Sequence, residues 1–111
     1  MANQEQLEIL RQGVDAWNKW RASNTMVQID LGGADLHESD FNGVNLSGAN
    51  LLYANLSSTN LIRANLKWAI LIETNLNLSN LENITIGYTR FGNTALTETF
   101  GVERVIHFSF R

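Results

Sequence analysis

The chain has 111 residues, a net charge of −3 and neither cysteine nor proline, so it is at most one domain and forms no disulfide or thiolate metal site. No apolar run approaches the roughly 20 residues that cross a bilayer, and the N-terminus lacks the basic start and apolar core of a signal peptide. We therefore expect a cytoplasmic protein with no membrane partner. Because no basic patch is present, direct binding to nucleic acid is not expected.

The first predicted element is an N-terminal α-helix in the stretch NQEQLEILRQGVDAWNKWR. Asn3, with Gln6 three places later, resembles a capping box. One helix face carries apolar residues at spacings of three and four: Leu7, Leu10, Val14 and Trp17, with Ile9 and Trp20 at the margin. Gly13 interrupts the pattern, so a kink or a new helix start there stays open. We assign residues 1–28 to a helical cap and lead-in, which either covers the following repeats or is presented to a partner.

Residues 29–98 repeat every five residues, as in GANLLYANLSSTNLIRANL. This period forms no apolar face on a helix, and on a strand it would point successive leucines to opposite sides. The chain must therefore turn after every repeat, and four repeats close a coil of 20 residues. The fourteen central residues are all large and apolar: Leu31, Leu36, Phe41, Leu46, Leu51, Leu56, Leu61, Leu66, Leu71, Leu76, Leu81, Ile86, Phe91 and Leu96. Ten of the fourteen are preceded by Asp or Asn, whose short side chains bond to nearby backbone and suit a turn.

This run resembles the pentapeptide-repeat family, whose motif is A(D/N)LXX. The resemblance implies an all-β solenoid, a right-handed quadrilateral β-helix, here of about three and a half coils with an N-terminal α-helical cap. Small helix-capped members are abundant in cyanobacteria, and for most of the family no biochemical role is established. The chain could equally be a shortened relative of a larger protein.

Residues 99–111 cannot be threaded as five-residue repeats, and we predict an irregular C-terminal tail there. Ile106, Phe108 and Phe110 alternate as in a strand with one apolar side. Such a strand either covers the last coil or pairs with the same strand of a second molecule in a homodimer.

The sequence contains no recognisable catalytic or metal-binding constellation. His37 and His107 are isolated, and no nucleophile elbow or phosphate-binding loop is present. An interior packed with leucine also leaves no pocket. We therefore expect no enzymatic activity and no cofactor. The sequence favours a non-catalytic structural or protein–protein interaction module whose protein partner is unknown.

Outward-facing apolar residues indicate where such a partner would bind. Residues 20 apart stack in successive coils, which places Trp68 below Tyr88 and Leu52 below Ile72. The predicted interaction edge comprises six residues: Leu52, Tyr53, Trp68, Ile70, Ile72 and Tyr88. A contiguous apolar patch of this kind usually marks an interface. The competing interpretation is that like side chains stack only to stabilise the coil.

A group of acidic residues falls within the first coil: Asp30, Asp35, Glu38 and Asp40. Quinolone-resistance proteins of the family bind DNA gyrase with an acidic surface interpreted as a mimic of duplex DNA. The resemblance therefore raises an alternative function, a DNA-mimic regulator of a DNA-handling enzyme such as gyrase. Neutral Asn replaces Asp at the equivalent positions from residue 45 onward, so an ordinary solvated face is the competing interpretation.

Overall fold

The computed structural model describes residues 1–101 and contains two helices and two short strands. Helix α1 spans Gln4–Arg11 and helix α2 spans Val14–Ser23. Strands β1 (Ile70–Ile72) and β2 (Arg90–Gly92) pair in parallel. Within residues 1–101 no helix is both long and apolar enough to cross a membrane.

The chain coils with a period of 20 residues after the helices. Parallel bridges join Asp30 to Asn50 and recur at this separation as far as the pair Asn80 and Phe100. The main-chain N–H of each central residue donates to the next coil, as from Leu31 to the Asn50 carbonyl at 2.8 Å. Most pairings are single bridges rather than strands, because a turn in every repeat leaves few extended residues between corners.

The central residues of the repeats form the core. The first eleven, from Leu31 to Leu81, are at most 4% exposed. The last three, Ile86, Phe91 and Leu96, are half-buried and pack against that core. Burying one such side chain contributes about 1.5–3 kcal/mol, so the column of central residues is a principal source of stability and weakens toward the last described coil.

The Asp and Asn residues before the central positions form local turns, as their chemistry predicts. All ten accept a hydrogen bond from the main-chain N–H two residues later, at 2.9–3.4 Å. In two repeats without Asp or Asn, the acceptor is a threonine hydroxyl instead: the N–H of Gly87 donates to Thr89 and the N–H of Gly92 to Thr94.

The corners fall two residues after each central position, where φ is positive in all fourteen repeats, between 48° and 75°. A hydrogen bond such as that from Ala54 N–H to the Leu51 carbonyl, 2.9 Å, closes the turn. Positive φ at this position is the signature of a type II turn, which prefers Gly or Asn. Only Gly33, Gly43 and Gly48 supply glycine, so most corners hold an ordinary side chain in a less favourable conformation.

The N-terminal region forms two helices rather than one continuous helix. Gly13 separates them with φ at 117°, a conformation that L residues rarely adopt. Asn3 caps α1 by accepting from the Gln6 N–H at 3.0 Å. The predicted apolar stripe faces the coil: Leu7, Leu10 and Trp17 are buried, and Ile9, Val14 and Trp20 pack against the core.

Side chains of the two helices take the place of a preceding coil at the first and fourth repeats. In later coils, the N–H before the central residue donates to the coil below. At Asp30 this N–H donates to Gln6 Oε1 at 2.8 Å, and at Asn45 it donates to Asn18 Oδ1 at 2.8 Å. Trp17 Nε1 donates to the Asn45 carbonyl at 2.7 Å. The helices are therefore joined to the coil by hydrogen bonds as well as by apolar contact.

The 20-residue pairing continues slightly beyond the predicted end of the repeats. Phe100 N–H donates to the Ser79 carbonyl at 3.0 Å, and Leu81 N–H donates to the Phe100 carbonyl at 2.8 Å. Main-chain pairing does not require the side-chain motif, which has already failed here. The predicted tail strand at Ile106, Phe108 and Phe110 lies outside the described residues.

Candidate functional site

The aromatic pair of the predicted interaction edge is stacked and open to solvent. The ring centroids of Trp68 and Tyr88 are 4.3 Å apart and the ring planes differ by 13°. Trp68 is 60% exposed and Tyr88 is 75% exposed. Two large rings are therefore held in one orientation on the outside of the coil, where they form a flat apolar surface.

The aliphatic residues of the predicted edge lie on the face next to this pair. Ile70 and Ile72 belong to β1, and both are half-buried. Leu52, in the coil before them, is also half-buried. Tyr53 stands at the next corner, 65% exposed, and its N–H donates to the Ile72 carbonyl at 3.3 Å. The structure thus places the six predicted residues on one face and its two bordering corners.

The only two strands within residues 1–101 lie on this face because its sequence departs from the repeat. Ile70 and Arg90 occupy the position that elsewhere holds Asp or Asn, so the local side-chain turn cannot form there. β-branched isoleucine also favours extended backbone. Strands β1 and β2 therefore give this face a short stretch of regular parallel sheet.

Both aromatic residues occupy corners where the backbone is unfavourable for them. Trp68 has φ of 65° and Tyr88 has φ of 55°. A left-handed conformation costs a residue with a side chain about 1–2 kcal/mol, and Gly48 holds the equivalent corner of the preceding coil with φ of 70°. Turn formation alone would therefore favour Gly or Asn at these corners.

The predicted acidic group remains confined to the first coil. Asp35, Glu38 and Asp40 are exposed, whereas Asp30 is half-buried beneath Asn50. His37 lies between two of them, with Nδ1 2.5 Å from Asp35 and Nε2 3.3 Å from Glu38.

These contacts change the ionisation of the pair. The hydrogen bond to the Asp35 carboxylate raises the pKa of His37, and the same bond lowers the pKa of Asp35. Both groups are exposed, so solvent screens the interaction.

Two shallow clefts separate the helices from the first coil. One encloses about 350 Å³ and is lined by Gln12, Gly13, Val14, Asp15, Asp40 and Asn42. The other encloses about 250 Å³ and is lined by Leu10, Arg11, Gly13, Asp35, Leu36, Ser39, Asp40 and Phe41. No group of His, Asp and Glu side chains within residues 1–101 is arranged to hold a metal ion.

Arg21 is a buried residue that the sequence analysis did not single out. It is 8% exposed and donates to the carbonyls of Asn24 at 2.9 Å, Val27 at 3.4 Å and Ser47 at 3.5 Å. Burial lowers the pKa of the guanidinium. A basic residue in the last helical turn often bonds the final carbonyls, and this signal could have identified it as part of the cap.

The geometry thus defines a repeat protein of stacked 20-residue coils with an exposed apolar face. The family model described as pentapeptide repeats (8 copies) matches residues 29–67, 49–86 and 59–97. The chain therefore belongs to the pentapeptide-repeat family. The comparison with curated proteins gave no match.

Solved structures of the same family resemble the chain. A pentapeptide repeat protein, Rfr23, from the cyanobacterium Cyanothece 51142 is 39% identical over 62% of this chain and 44% of its own, with a TM-score of 0.53. One from the Arabidopsis thaliana thylakoid lumen is 26% identical over 67% and 52%, with a TM-score of 0.37. One from Nostoc Pcc 7120 is 30% identical over 70% and 78%, with a TM-score of 0.32. The chain thus spans about half the length of the first two relatives, 44% and 52%.

Proposed function

We propose that this chain is a non-catalytic, cytoplasmic protein-interaction module, that its coils form a right-handed quadrilateral β-helix, and that its partner binds the aromatic corner. The aromatic corner is defined as Trp68, Tyr88 and the adjacent Ile70. One observation carries the proposal: two stacked and largely exposed rings, 4.3 Å apart, occupy corners where φ is positive.

The energetics of the two positions support this assignment. An exposed ring gains little from burial, and the stack itself contributes only about 0.5–1.5 kcal/mol beyond area burial. That gain is similar to the cost of placing a bulky residue at positive φ. Stability alone therefore gives little reason for Trp68 and Tyr88 at these corners. Trp and Tyr are, by contrast, among the residues most enriched in protein interfaces.

The adjoining face has the features of a contact surface. Ile70 and Ile72 extend the apolar area beside the rings, and Arg90 stands next to Ile70 in the coil above. An apolar centre with charged residues at its border is the usual arrangement of a protein–protein interface. The partner is either an unidentified protein or a second copy of the chain in a homodimer.

Asparagine substitutions test the aromatic corner without disturbing the turn. Asn occupies equivalent corners at Asn83 and Asn93, so Trp68→Asn and Tyr88→Asn should keep the fold. Leu78→Asn is the matched control, since Leu78 is 54% exposed with φ of 64° at a different corner. The assays are size-exclusion light scattering across micromolar concentrations and capture of partners on immobilised protein.

The proposal predicts that Trp68→Asn and Tyr88→Asn weaken self-association or partner capture, while Leu78→Asn leaves both unchanged. Equal behaviour of all three variants would remove the aromatic corner from the proposal. The fold is tested separately by circular dichroism, where a spectrum dominated by helix would contradict a β-helix.

The gyrase-binding alternative stays a prediction. A mimic of duplex DNA needs negative charge along much of a rod, whereas Asp35, Glu38 and Asp40 all lie in the first coil. This alternative requires that the chain inhibit, or protect, the supercoiling activity of purified gyrase. Supercoiling that is identical with and without the chain would dismiss it.

A further inference from the structure

The two helices cap only half of the first coil. Gln6 and Asn18 receive the main-chain N–H groups of the first and fourth repeats. The corresponding N–H groups of the second and third repeats belong to Asp35 and Asp40. Within residues 1–101, no hydrogen bond reaches the main-chain N–H or carbonyl of Asp35 or Asp40.

The equivalent groups of the next coil show what these positions normally bind. Asn55 N–H donates to the Ala34 carbonyl at 2.8 Å, and the Asn55 carbonyl accepts from Leu36 N–H at 2.8 Å. Asn60 makes the same pair of bonds with the third repeat of the first coil, at 3.0 Å and 2.7 Å. Asp35 and Asp40 therefore form an edge that is shaped to pair with another extended main chain. We name these two residues the open edge.

Space lies beside the open edge, because the chain between α1 and α2 runs past it at Gly13. Both clefts described above include Gly13 and Asp40 in their lining. Their volumes, about 350 Å³ and 250 Å³, are sufficient for individual side chains of a bound segment. An unpaired strand edge with room beside it is the arrangement to which proteins add an extended peptide.

The charges beside the open edge specify the side chain that such a peptide would carry. Asp15 and Asp40 line the larger cleft, and no basic side chain lines it. The smaller cleft has an apolar floor formed by Leu10, Leu36 and Phe41. A basic side chain fits the first cleft by charge, and an apolar side chain fits the second.

We infer that the open edge is a second binding site, which pairs with an extended segment of a partner protein carrying a Lys or Arg side chain toward Asp15 and Asp40. The site uses the first coil and the helices, and its argument does not depend on the aromatic corner. Main-chain hydrogen bonds supply the pairing, and the carboxylates select a basic sequence.

A short basic peptide tests the site directly. The probe is acetyl-Val-Lys-Val-Arg-Val-amide, titrated into the full chain labelled with ¹⁵N, and the readout is the position of each amide signal. The expected result is saturable shifts at Asp35, Asp40 and Gly13, with dissociation in the submillimolar range that is common for weak peptide contacts. A peptide with Glu in place of Lys and Arg should not bind, and a copy with N-methylated amides should bind at least fivefold more weakly.

Matched variants separate charge from pairing. Asp40→Asn keeps the local turn, since Asn fills this position in the next two coils at Asn60 and Asn80, and it should weaken binding about fivefold. Asp30→Asn removes a charge from the same coil at a repeat that Gln6 caps, and it should leave the affinity unchanged.

Three results would overturn the inference. The first is no shift at millimolar peptide, and the second is shifts confined to the aromatic corner. The third is concentration-dependent shifts of Asp35 and Asp40 in the absence of peptide, which would assign the open edge to a second copy of the chain. Binding that is unaffected by N-methylation would likewise exclude main-chain pairing.

Discussion

Replacing Trp17 tests how much the helices contribute to the stability of the coil. Its side chain is fully buried, with 0% exposure, and its indole N–H donates to the Asn45 carbonyl at 2.7 Å. Truncating a buried Trp to Ala costs about 3–5 kcal/mol. The orphaned carbonyl of Asn45 adds about 1–3 kcal/mol. This loss is comparable with the lower end of the total stability of a small domain, about 5–15 kcal/mol.

Trp17→Phe isolates the hydrogen bond, because it keeps an aromatic ring and removes the donor. We expect a loss of about 1–3 kcal/mol from the unpaired carbonyl. Trp20→Phe is the matched control: Trp20 is only half-buried, and its indole N–H makes no hydrogen bond within residues 1–101. Its substitution should cost less than about 1 kcal/mol.

Urea unfolding followed by far-ultraviolet circular dichroism measures these differences, since that signal does not depend on tryptophan fluorescence. Trp17→Ala should lower the midpoint most, then Trp17→Phe, with Trp20→Phe close to the parent chain. If Trp17→Ala unfolds within about 1 kcal/mol of the parent, the helices do not stabilise the coil, and the reasoning about the cap is wrong.

Two further predictions concern a corner and an ion pair. Gly43→Ala should destabilise the chain by about 1–2 kcal/mol through φ alone, because φ is 75° and an added Cβ meets no atom within 4 Å; Gly43→Asn should recover part of this in the same urea assay, and an equal loss for Asn would contradict the conformational explanation. His37 and Asp35 should stabilise the fold most at weakly acidic pH. The contribution of His37, whose pKa is raised, is lost as pH rises through its folded pKa, and that of Asp35, whose pKa is lowered, is lost as pH falls through its folded pKa. In Asp35→Asn the proton-NMR titration of His37 should move toward the ordinary histidine pKa, and an unchanged titration would exclude the pair as its cause.

The repeating part of the fold was predictable because its determinants are local. A leucine such as Leu56 fills the interior, and the Asn55 before it bonds the N–H of Ser57 at 3.0 Å. Both roles follow from residue type and a spacing of five, so they can be recognised in sequence alone. The continuation to Phe100 could not, because main-chain pairing leaves no mark on side chains once the motif ends.

The cap was predictable in outline and not in detail. Its apolar stripe indicates a covering helix, yet the hydrogen bonds of Gln6, Asn18 and Arg21 reach residues more than 20 positions away. Such contacts depend on where the helices lie on the coil, which no local pattern specifies. The same limit applies to the open edge, since it exists only because the helices end their coverage at two repeats. The face bearing Trp68 was easier to locate, because stacking follows from the 20-residue period.

The constant separation of the pairings also determines which insertions and deletions this protein can accommodate. Adding or removing five residues preserves every turn, yet it moves all later residues to the next face, so Tyr88 would no longer lie above Trp68. Adding or removing 20 residues preserves both the turns and the stacked columns. The exterior therefore has two independent units of variation. Relatives that differ by whole coils keep a surface in register, and those that differ by single repeats acquire a new one.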